Sequence, residues 1–393
     1  MLVPLDDARR HVLRHVDRAL PPETVTVAEA VGRVVVERIV APEPVPPFDN
    51  SAMDGFAVRA GDCADPAGLK VTGRTLAGEA PAGIVGSGEA VRIMTGAPVP
   101  PGADTIVPIE HVELHDDDTR ITFTGEVLPG QHVRRTGDDL AVGAVVVEAG
   151  TAVTPAHLGL LATVGVEKVS VVRRPRVGVV STGDELVEGA APLLVGQIRD
   201  SNRPALLALV AEAGAEAVDL GHAPDDPEAI TAAFLRGVTS CDAVLSSGGV
   251  SMGDVDLVRE VLDLMGEMRW MQVAIRPAKP FAFGLVDGVP VFGLPGNPVS
   301  SLVSFELFAR PAIRRLAGHP DHRLDRPCPT AIAVDGLPRK PDGKIHFVRV
   351  VVRVGAEGRL EARSAGAQGS HHMTGMAAAN GLAIVPDSLG IPV

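Results

Sequence analysis

Five polar, glycine-rich segments follow the predicted strands of residues 171–318, and they hold most of the groups that could do chemistry. They are Ser181–Glu185, Asp225–Asp226, Ser246–Asp256, Arg276–Pro280 and Gly293–Ser301. In an open parallel sheet each segment leaves the carboxyl end of its strand, which is where such sheets bind ligands. We therefore expect the five segments to meet at one edge and to form one site.

These segments combine donors for an anion with ligands for a hard cation. Ser246–Gly249 and Gly293–Ser301 place glycines and hydroxyls at helix starts, where free N–H groups and the helix dipole favour negative charge. Arg276 and Lys279 add positive charge. Several carboxylates suit Mg²⁺, which takes one or two of them together with substrate phosphate: Asp184, Glu185, Asp225, Asp254 and Asp256. The combination indicates a phosphate-containing substrate handled with a divalent metal.

Each segment also has a plainer structural interpretation. Ser246–Gly249 is compatible with a simple tight turn, and Asp184-Glu185 with a helix cap. Asp225-Asp226 before Pro227 is typical of a cap. Lys279 between prolines fits a solvated turn, and Arg276 fits an ion pair with a nearby acid. Only the coincidence of all five segments on one edge favours the binding site.

Four further segments concentrate polar groups outside this block. Phe48–Ala57, Met94–Asp104 and Arg134–Asp139 are each also compatible with a turn, a loop or a charged surface. In Gly366–Met373, the adjacent His371 and His372 have no further ligand at metal-binding spacing. Ser370 lacks the strand–turn–helix context of a hydrolytic nucleophile.

Composition excludes several classes of function. The chain has 393 residues and a net charge of −13, so it has no global basic footprint for nucleic acid or anionic lipid. Aromatic residues are 3% of the chain, with no Tyr, which disfavours base stacking. Cys63, Cys241 and Cys328 are isolated and predict neither a disulfide framework nor a zinc site. No signal-peptide pattern or apolar span is evident, so we expect a cytoplasmic protein that does not bind membranes.

The elements that must position the five segments alternate strand and helix. Ser201 or Asn202 caps a helix with Pro204 in its first turn, and Asp226 opens another that runs to about Gly237. A third helix covers Val255–Met265, and a fourth follows Pro298. The predicted strands are Arg176–Ser181, Glu216–Leu220, Ala243–Ser246, Trp270–Ile275 and Val289–Gly293. This order predicts a doubly wound, mostly parallel α/β domain.

The rest of the chain divides into smaller units, so the fold class is multidomain α/β plus β. Short strands without helices over residues 46–136 predict an inserted small β domain. Residues 1–45, which open with an amphipathic helix, join residues 137–170 in a discontinuous N-terminal linker domain. The α/β domain covers 171–318. Alternating strands over 319–393 predict a C-terminal β-barrel-like domain.

Nine segments in order resemble one family, the molybdopterin molybdenumtransferases (MoeA type, including the E domain of gephyrin). No single motif decides the resemblance, but together they span nearly the whole chain. They are Pro46–Arg59, Met94–Asp104, Gly130–Leu140, Ser181–Leu186, Gly196–Asn202, Ser246–Asp256, Arg276–Gly284, Gly293–Ser301 and Gly369–Gly381. One departure is Arg276, which stands where the family often has Lys.

The resemblance implies that the 171–318 domain is of the molybdopterin-binding type and that residues 1–45 with 137–170 also serve dimerisation. It implies the last step of molybdenum cofactor biosynthesis. The enzyme would insert molybdenum from molybdate into adenylylated molybdopterin and release AMP, with Mg²⁺ as cofactor. It also implies a homodimer with the cleft between subunits, and contact with the molybdopterin adenylyltransferase and apo-molybdoenzymes.

Site residues carry over by matching position. The implied catalytic residues are Asp54, Thr95, Glu185, Asp225 and Asp256, of which Glu185, Asp225 and Asp256 are the candidate metal ligands. The predicted substrate-binding residues are Ser181, Thr182, Gly248, Gly249, Ser251, Arg276, Lys279, Pro295, Asn297, Pro298 and Ser370.

Two alternatives stay open. The 171–318 block alone also resembles the partner enzyme that adenylylates molybdopterin, which lacks the Phe48–Phe56 and Gln368–Ser370 segments. A non-catalytic scaffold of the gephyrin kind is the second alternative, although this chain carries no long Pro/Ser-rich linker and no second α/β block.

Overall fold

The computed structural model describes residues 1–81, 83–250 and 257–391. The predicted opening helix is α1 (Leu5–His15). Its apolar face, Ala8 and Val12, packs with Val16 into the core of the α/β block, not into the core of the N-terminal region. Two short strands follow, β1 (Pro22–Thr26) and β2 (Ile39–Val40).

The small β unit forms around a six-stranded sheet, and turns that contain Gly or Pro keep its strands short. Its elements are β3 (Asn50–Ser51), β4 (Gly55–Val58), β5 (Leu69–Thr75), β6 (Glu89–Ile93), β7 (Thr105–Pro108), β8 (Val112–His115), β9 (Arg120–Phe123) and β10 (Val133–Arg134). The sheet order is β7-β4-β6-β5-β9-β8, and β10 pairs with β3.

The chain then returns to the N-terminal region through β11 (Val145–Val147), α2 (Pro155–Thr163) and β12 (Lys168–Val172). Strand β11 pairs with β2, and β12 pairs with β1. Thr154 and His157 cap α2 reciprocally. One apolar cluster joins Val27 and Val35 to Leu161 and Val171, so two distant stretches of sequence share a core. The domain boundaries themselves stay a prediction.

The α/β block is a six-stranded sheet in the order β16-β13-β17-β21-β20-β18. Its strands and the short ones near it are β13 (Arg176–Thr182), β14 (Leu186–Val187), β15 (Ile198–Arg199), β16 (Glu216–Ala223), β17 (Ala243–Ser247), β18 (Glu267–Gln272), β19 (Ile275–Arg276), β20 (Pro280–Val286) and β21 (Val289–Leu294). The helices are α3 (Asn202–Glu212), α4 (Pro227–Ser240), α5 (Leu257–Met265), α6 (Pro298–Ser304) and α7 (Arg310–Leu316), with a π turn between α6 and α7.

Helices cover both faces of this sheet, which confirms the doubly wound α/β fold. Along β17, Ala243 and Leu245 belong to the apolar cluster on one face, while Val244 belongs to the cluster on the other. Alternate residues of a strand point to opposite faces, so a strand apolar at every position must be covered twice. Within the described residues, no helix is long and apolar enough to cross a membrane.

The sheet differs from the sequence prediction at its fourth strand. The predicted Trp270–Ile275 strand is β18, which ends at Gln272, and Ile275–Arg276 forms the separate β19. An additional strand, β20, pairs antiparallel with both β18 and β21. The sequence prediction covers only Pro280 of β20, as the end of the Arg276–Pro280 loop. Periodicity alone does not identify a short apolar run as a strand.

The C-terminal unit is a second small sheet, as predicted. It contains β22 (Ile332–Ala333), β23 (Leu337–Pro338), β24 (Ile345–Val354), β25 (Leu360–Ser364), α8 (Met373–Ala378), β26 (Gly381–Val385) and β27 (Gly390–Ile391). Strand β24 pairs with β25 and β26, and also with β19 of the α/β block. This last pairing joins the two units at the segment that carries Arg276.

Candidate functional site

The topology places the five predicted segments at one sheet edge. Strands β13, β16, β17 and β21 are parallel neighbours. Strand β18 runs in the same direction, because both β18 and β21 are antiparallel to β20. The segments that follow these five strands therefore leave from the same edge of the sheet.

The first two segments are tied to each other by bonds from backbone N–H groups to aspartate carboxylates. The Asp225 N–H donates to Asp184 Oδ1 at 2.9 Å, and the Asp184 N–H lies 3.3 Å from Asp225 Oδ2. The neighbouring Asp226 carboxylate accepts the Ala229 N–H at 2.8 Å and caps α4. The two adjacent aspartates thus differ: Asp226 serves its helix, whereas Asp225 and the exposed Glu185 lie at the edge.

The third segment is packed against the first and the fifth. The Gly248 N–H donates to the Leu294 carbonyl at 3.1 Å. Gly248 has φ +103°, and a Cβ there would lie 3.0 Å from the Thr182 carbonyl oxygen. Gly249 has φ +68° and is closed in by Val258. Glycine is needed at both positions because this backbone conformation and close approach exclude a side chain.

Two predicted binding residues at the end of β13 are enclosed. Ser181 is fully buried and its hydroxyl donates to Asp200 Oδ2 at 2.6 Å. Asp200 in turn accepts from the Arg203 guanidinium at 3.2 Å. Thr182 is also buried. The Ser181 hydroxyl is therefore engaged inside the protein in this structure.

Two cations stand exposed where the α/β block meets the C-terminal unit. Arg276 lies in β19, and Lys279 follows in a turn held by a 2.7 Å bond from the Val273 N–H to the Lys279 carbonyl. Both side chains are exposed, and neither forms an ion pair within the ranges that the structure describes. Free charge at this place favours an anionic ligand over a structural salt bridge.

Ser370 is brought to the fifth segment by a long-range contact. The Val299 N–H, at the start of α6, donates to the Ser370 carbonyl at 3.0 Å. Pro295 is buried, whereas Asn297 is exposed and Pro298 begins the helix. A cavity of about 590 Å³ lies beside this junction and is lined by Arg276, Pro277, Gln368 and Gly369 among others.

Sequence reasoning missed Arg349, which lies behind the same loop. Its side chain is 0% exposed, and its Nη2 donates to the Ala367 and Gly369 carbonyls at 2.9 and 3.2 Å. Nε and Nη1 have no hydrogen-bond partner in the part of the chain that the structure describes, and burial lowers the pKa of Arg349. A cation inside the apolar strand run Phe347–Val352 is the sequence signal that could have found it.

Asp54 and Thr95 form a pair in the small β unit. Asp54 Oδ1 accepts the Thr95 N–H at 2.7 Å and the Thr95 hydroxyl at 2.8 Å. These two bonds, the backbone one first, lower the pKa of Asp54 from its ordinary value. The structure joins these predicted catalytic residues to each other, and no hydrogen bond links their side chains to the sheet edge within the described ranges.

Two predicted site residues, Ser251 and Asp256, lie outside the described residues, as does Asp254. The proposed three-carboxylate metal set therefore stays a prediction. Among the residues that the structure covers, no group of three or more His, Cys, Asp or Glu side chains could hold a metal ion.

Three family models match successive parts of the chain. Residues 3–165 match the MoeA N-terminal region (domain I and II), 178–315 match a "Probable molybdopterin binding domain", and 334–391 match the MoeA C-terminal region (domain IV). The fold and the edge site therefore define a multidomain protein built around an α/β domain of the molybdopterin-binding class.

Similar proteins share this order over the full length. The molybdopterin molybdenumtransferase of Haemophilus influenzae is 40% identical over 99% of this chain and 96% of its own. Molybdopterin molybdenumtransferase 2 of Mycobacterium tuberculosis is 40% identical over 97% and 95%. A crystal structure of the molybdopterin biosynthesis MoeA protein of Pyrococcus horikoshii, 29% identical, superposes with a TM-score of 0.82 over 100% of this chain and 97% of that one. The chain belongs to the molybdopterin molybdenumtransferase (MoeA) family.

Proposed function

We propose that this chain is a molybdopterin molybdenumtransferase of molybdenum cofactor biosynthesis. It takes adenylylated molybdopterin and molybdate, bonds molybdenum to the dithiolene sulfurs, and releases AMP. The observation that carries this proposal is the convergence at one sheet edge of exposed cations, Arg276 and Lys279, with the exposed carboxylates Glu185 and Asp225. Family membership agrees with this reaction.

The basic groups serve the oxyanions of the substrates. Arg276 and Lys279 supply fixed charge, and the loop of Ser370 closes against α6 beside them. The buried Arg349 lies behind that loop, and its Nε and Nη1 have no partner among the residues that the structure covers. Donors already in place for a tetrahedral oxyanion need no reorganisation when it binds or reacts.

Mg²⁺ is the cofactor that the carboxylates fit. Glu185 and Asp225 are exposed hard oxygen ligands on segments tied together by the reciprocal N–H-to-carboxylate bonds of Asp184 and Asp225. Mg²⁺ characteristically binds one or two carboxylates and completes its shell with water and substrate phosphate. When bound, the ion neutralises charge on the adenylate phosphate. Glu185 and Asp225 would hold it, with Asp256 as the third predicted ligand.

The chain works as a cytoplasmic homodimer in this proposal. Asp54 and Thr95 lie in the small β unit and bond to each other, and no hydrogen bond in the described chain joins their side chains to the sheet edge. A second copy that brings this pair to the edge would complete the catalytic set. The adenylyltransferase that supplies the substrate and the apo-molybdoenzymes that accept the product are the expected protein partners.

The test is AMP release from purified adenylylated molybdopterin, with and without molybdate. Molybdate-dependent AMP release supports transfer. Consumption of ATP with molybdopterin as substrate and without molybdate would instead identify an adenylyltransferase. A protein with neither activity would be a scaffold.

Adjacent carboxylates provide the matched variants for that assay. Asp225→Ala, Glu185→Ala and Asp256→Ala should abolish AMP release and leave the fold intact. Asp226→Ala removes only the α4 cap, which costs about 1 kcal/mol of stability, and should keep activity. Equal turnover in the Asp225 and Asp226 variants would reject the role of Asp225.

A further inference from the structure

The turn before α3 ties three elements of the sheet edge together through side chains. Asp200, only 2% exposed, accepts the hydroxyl of Ser181 at the end of β13. Asn202, 9% exposed, donates from Nδ2 to the Ser247 hydroxyl at 2.8 Å and to the Gly296 carbonyl at 2.7 Å. Ser247 ends β17 and Gly296 lies in the segment after β21, so one amide spans the third and fifth segments.

The chemistry of these contacts requires an amide. The Gly296 carbonyl can only accept a hydrogen bond, which forces the Asn202 nitrogen to face it. The same nitrogen uses its second hydrogen for Ser247. Aspartate has the same shape and no donor, so it would place a carboxylate oxygen against the carbonyl. The sequence suggested that Ser201 or Asn202 caps α3, but Ser201 makes no side-chain cap bond and the Asn202 side chain is used across the edge.

The Asn202 side chain lowers the stability of the fold through its oxygen, so we attribute its role to the two hydrogen bonds that its nitrogen donates. Asn202 Oδ1 is buried and has no hydrogen-bond partner among the described residues. A buried acceptor without a partner destabilises the fold. The two tethered segments approach closely, since a Cβ on Gly296 would lie 3.8 Å from Gly248 Cα. Beside the backbone bond from the Gly248 N–H to the Leu294 carbonyl, the Asn202 amide therefore adds a side-chain tie between two segments at the sheet edge.

We propose that Asn202 is a positioning residue for the transfer reaction, holding the Ser247–Gly248 and Gly296 segments in their productive separation. The proposal rests on the proposed function and gives Asn202 a positioning role through the Ser247 hydroxyl and the Gly296 carbonyl. A displacement of about 1 Å in such a segment can reduce turnover by ~100-fold, because reacting groups must be aligned.

The experiment compares Asn202→Asp, Asn202→Ala and a matched control, Asn380→Asp, in the full-length protein. Asn380 also makes a two-point side-chain contact, with the Val352 N–H at 2.6 Å and the Val352 carbonyl at 2.9 Å, but in the C-terminal sheet. Amide hydrogen exchange over 243–250 and 293–301 is measured together with kcat and KM for molybdate-dependent AMP release, at a temperature where each variant is folded.

Both Asn202 variants should exchange at least tenfold faster in the two segments and lose at least tenfold in kcat, with KM changed by less than threefold. Asn380→Asp should exchange faster only around 350–354 and keep its kcat within twofold. If Asn202→Asp exchanges its amides at the wild-type rate, the proposal is overturned. Faster exchange with an unchanged kcat would also overturn it, because Asn202 would then have a structural role only. Absence of AMP release in the wild type would refute the proposed function instead. The role of Asn202 would then be tested by amide exchange and by the affinity for adenylylated molybdopterin. If neither changes in the Asn202 variants, the role of Asn202 is refuted as well.

Discussion

The substitution Arg349→Met tests whether the buried Arg349 guanidinium serves substrate binding or only the stability of the fold. Methionine keeps the apolar stem in place and removes only the guanidinium. The change eliminates the bonds from Nη2 to the Ala367 and Gly369 carbonyls, each about 1.5–3 kcal/mol for a charged donor. It also removes two buried nitrogens, Nε and Nη1, that have no partner in the described chain, each about 1–3 kcal/mol, in a cation without an ion pair there.

The two effects nearly cancel, so the free energy of unfolding should change by less than about 2 kcal/mol. Both freed carbonyls lie on the partly exposed 367–369 loop, where water can replace the lost donor. Activity should behave differently. Arg349 lies behind the loop that leads to Ser370, and the prediction is that its guanidinium serves a bound oxyanion from there. Removal of one such donor costs about 3–4 kcal/mol, or 10²–10³-fold in kcat/KM for molybdate.

The assay pairs urea unfolding, followed by fluorescence of the single tryptophan Trp270 and by circular dichroism, with molybdate-dependent AMP release. Arg173→Met is the control, because Arg173 makes a two-bond pair with Asp242 away from the edge, at 2.9 and 2.6 Å. That pair is partly exposed, so the control should lose about 1–2 kcal/mol of stability and keep its activity. Stability lost by more than ~4 kcal/mol with kcat/KM intact in Arg349→Met would refute the reasoning.

Three further changes test single features of the structure. Burial first, and then the Arg314 guanidinium, lowers the pKa of His319 to about 4, so the folded state resists protonation. The free energy of unfolding should be full above pH 6.5 and fall between pH 6.5 and 4, by at most about 3 kcal/mol before solvent screening. In urea unfolding midpoints measured across this pH range, His319→Gln should reduce that fall. Gly248→Ala should destabilise the protein by more than Gly189→Ala, because both have positive φ (+103° and +64°) but only Gly248 meets another backbone; equal melting temperatures would contradict this. Asp54→Asn should lower kcat/KM at least 100-fold with an unchanged melting temperature, and an active variant would remove Asp54 from the catalytic set.

Much of the candidate site was readable from local sequence. Apolar runs alternating with helical periodicity fixed a doubly wound sheet, and the connection rules then placed the ends of successive parallel strands at one edge. The Asp226 cap and the glycine requirement at Gly248 also follow from local chemistry, since caps and positive φ depend on neighbouring residues.

Only the tertiary structure decided which groups at that edge are free. The hydroxyl of Ser181 is consumed by Asp200, nineteen residues away along the chain, and Ser370 reaches α6 from the C-terminal sheet. Strand β20 entered the sheet antiparallel, and Arg349 was buried by a loop that follows its neighbouring strand. These outcomes depend on pairings between residues remote in sequence. Periodicity and spacing report the conformation of a segment, but the partner of a strand, a hydroxyl or a guanidinium is chosen by how separate segments pack together.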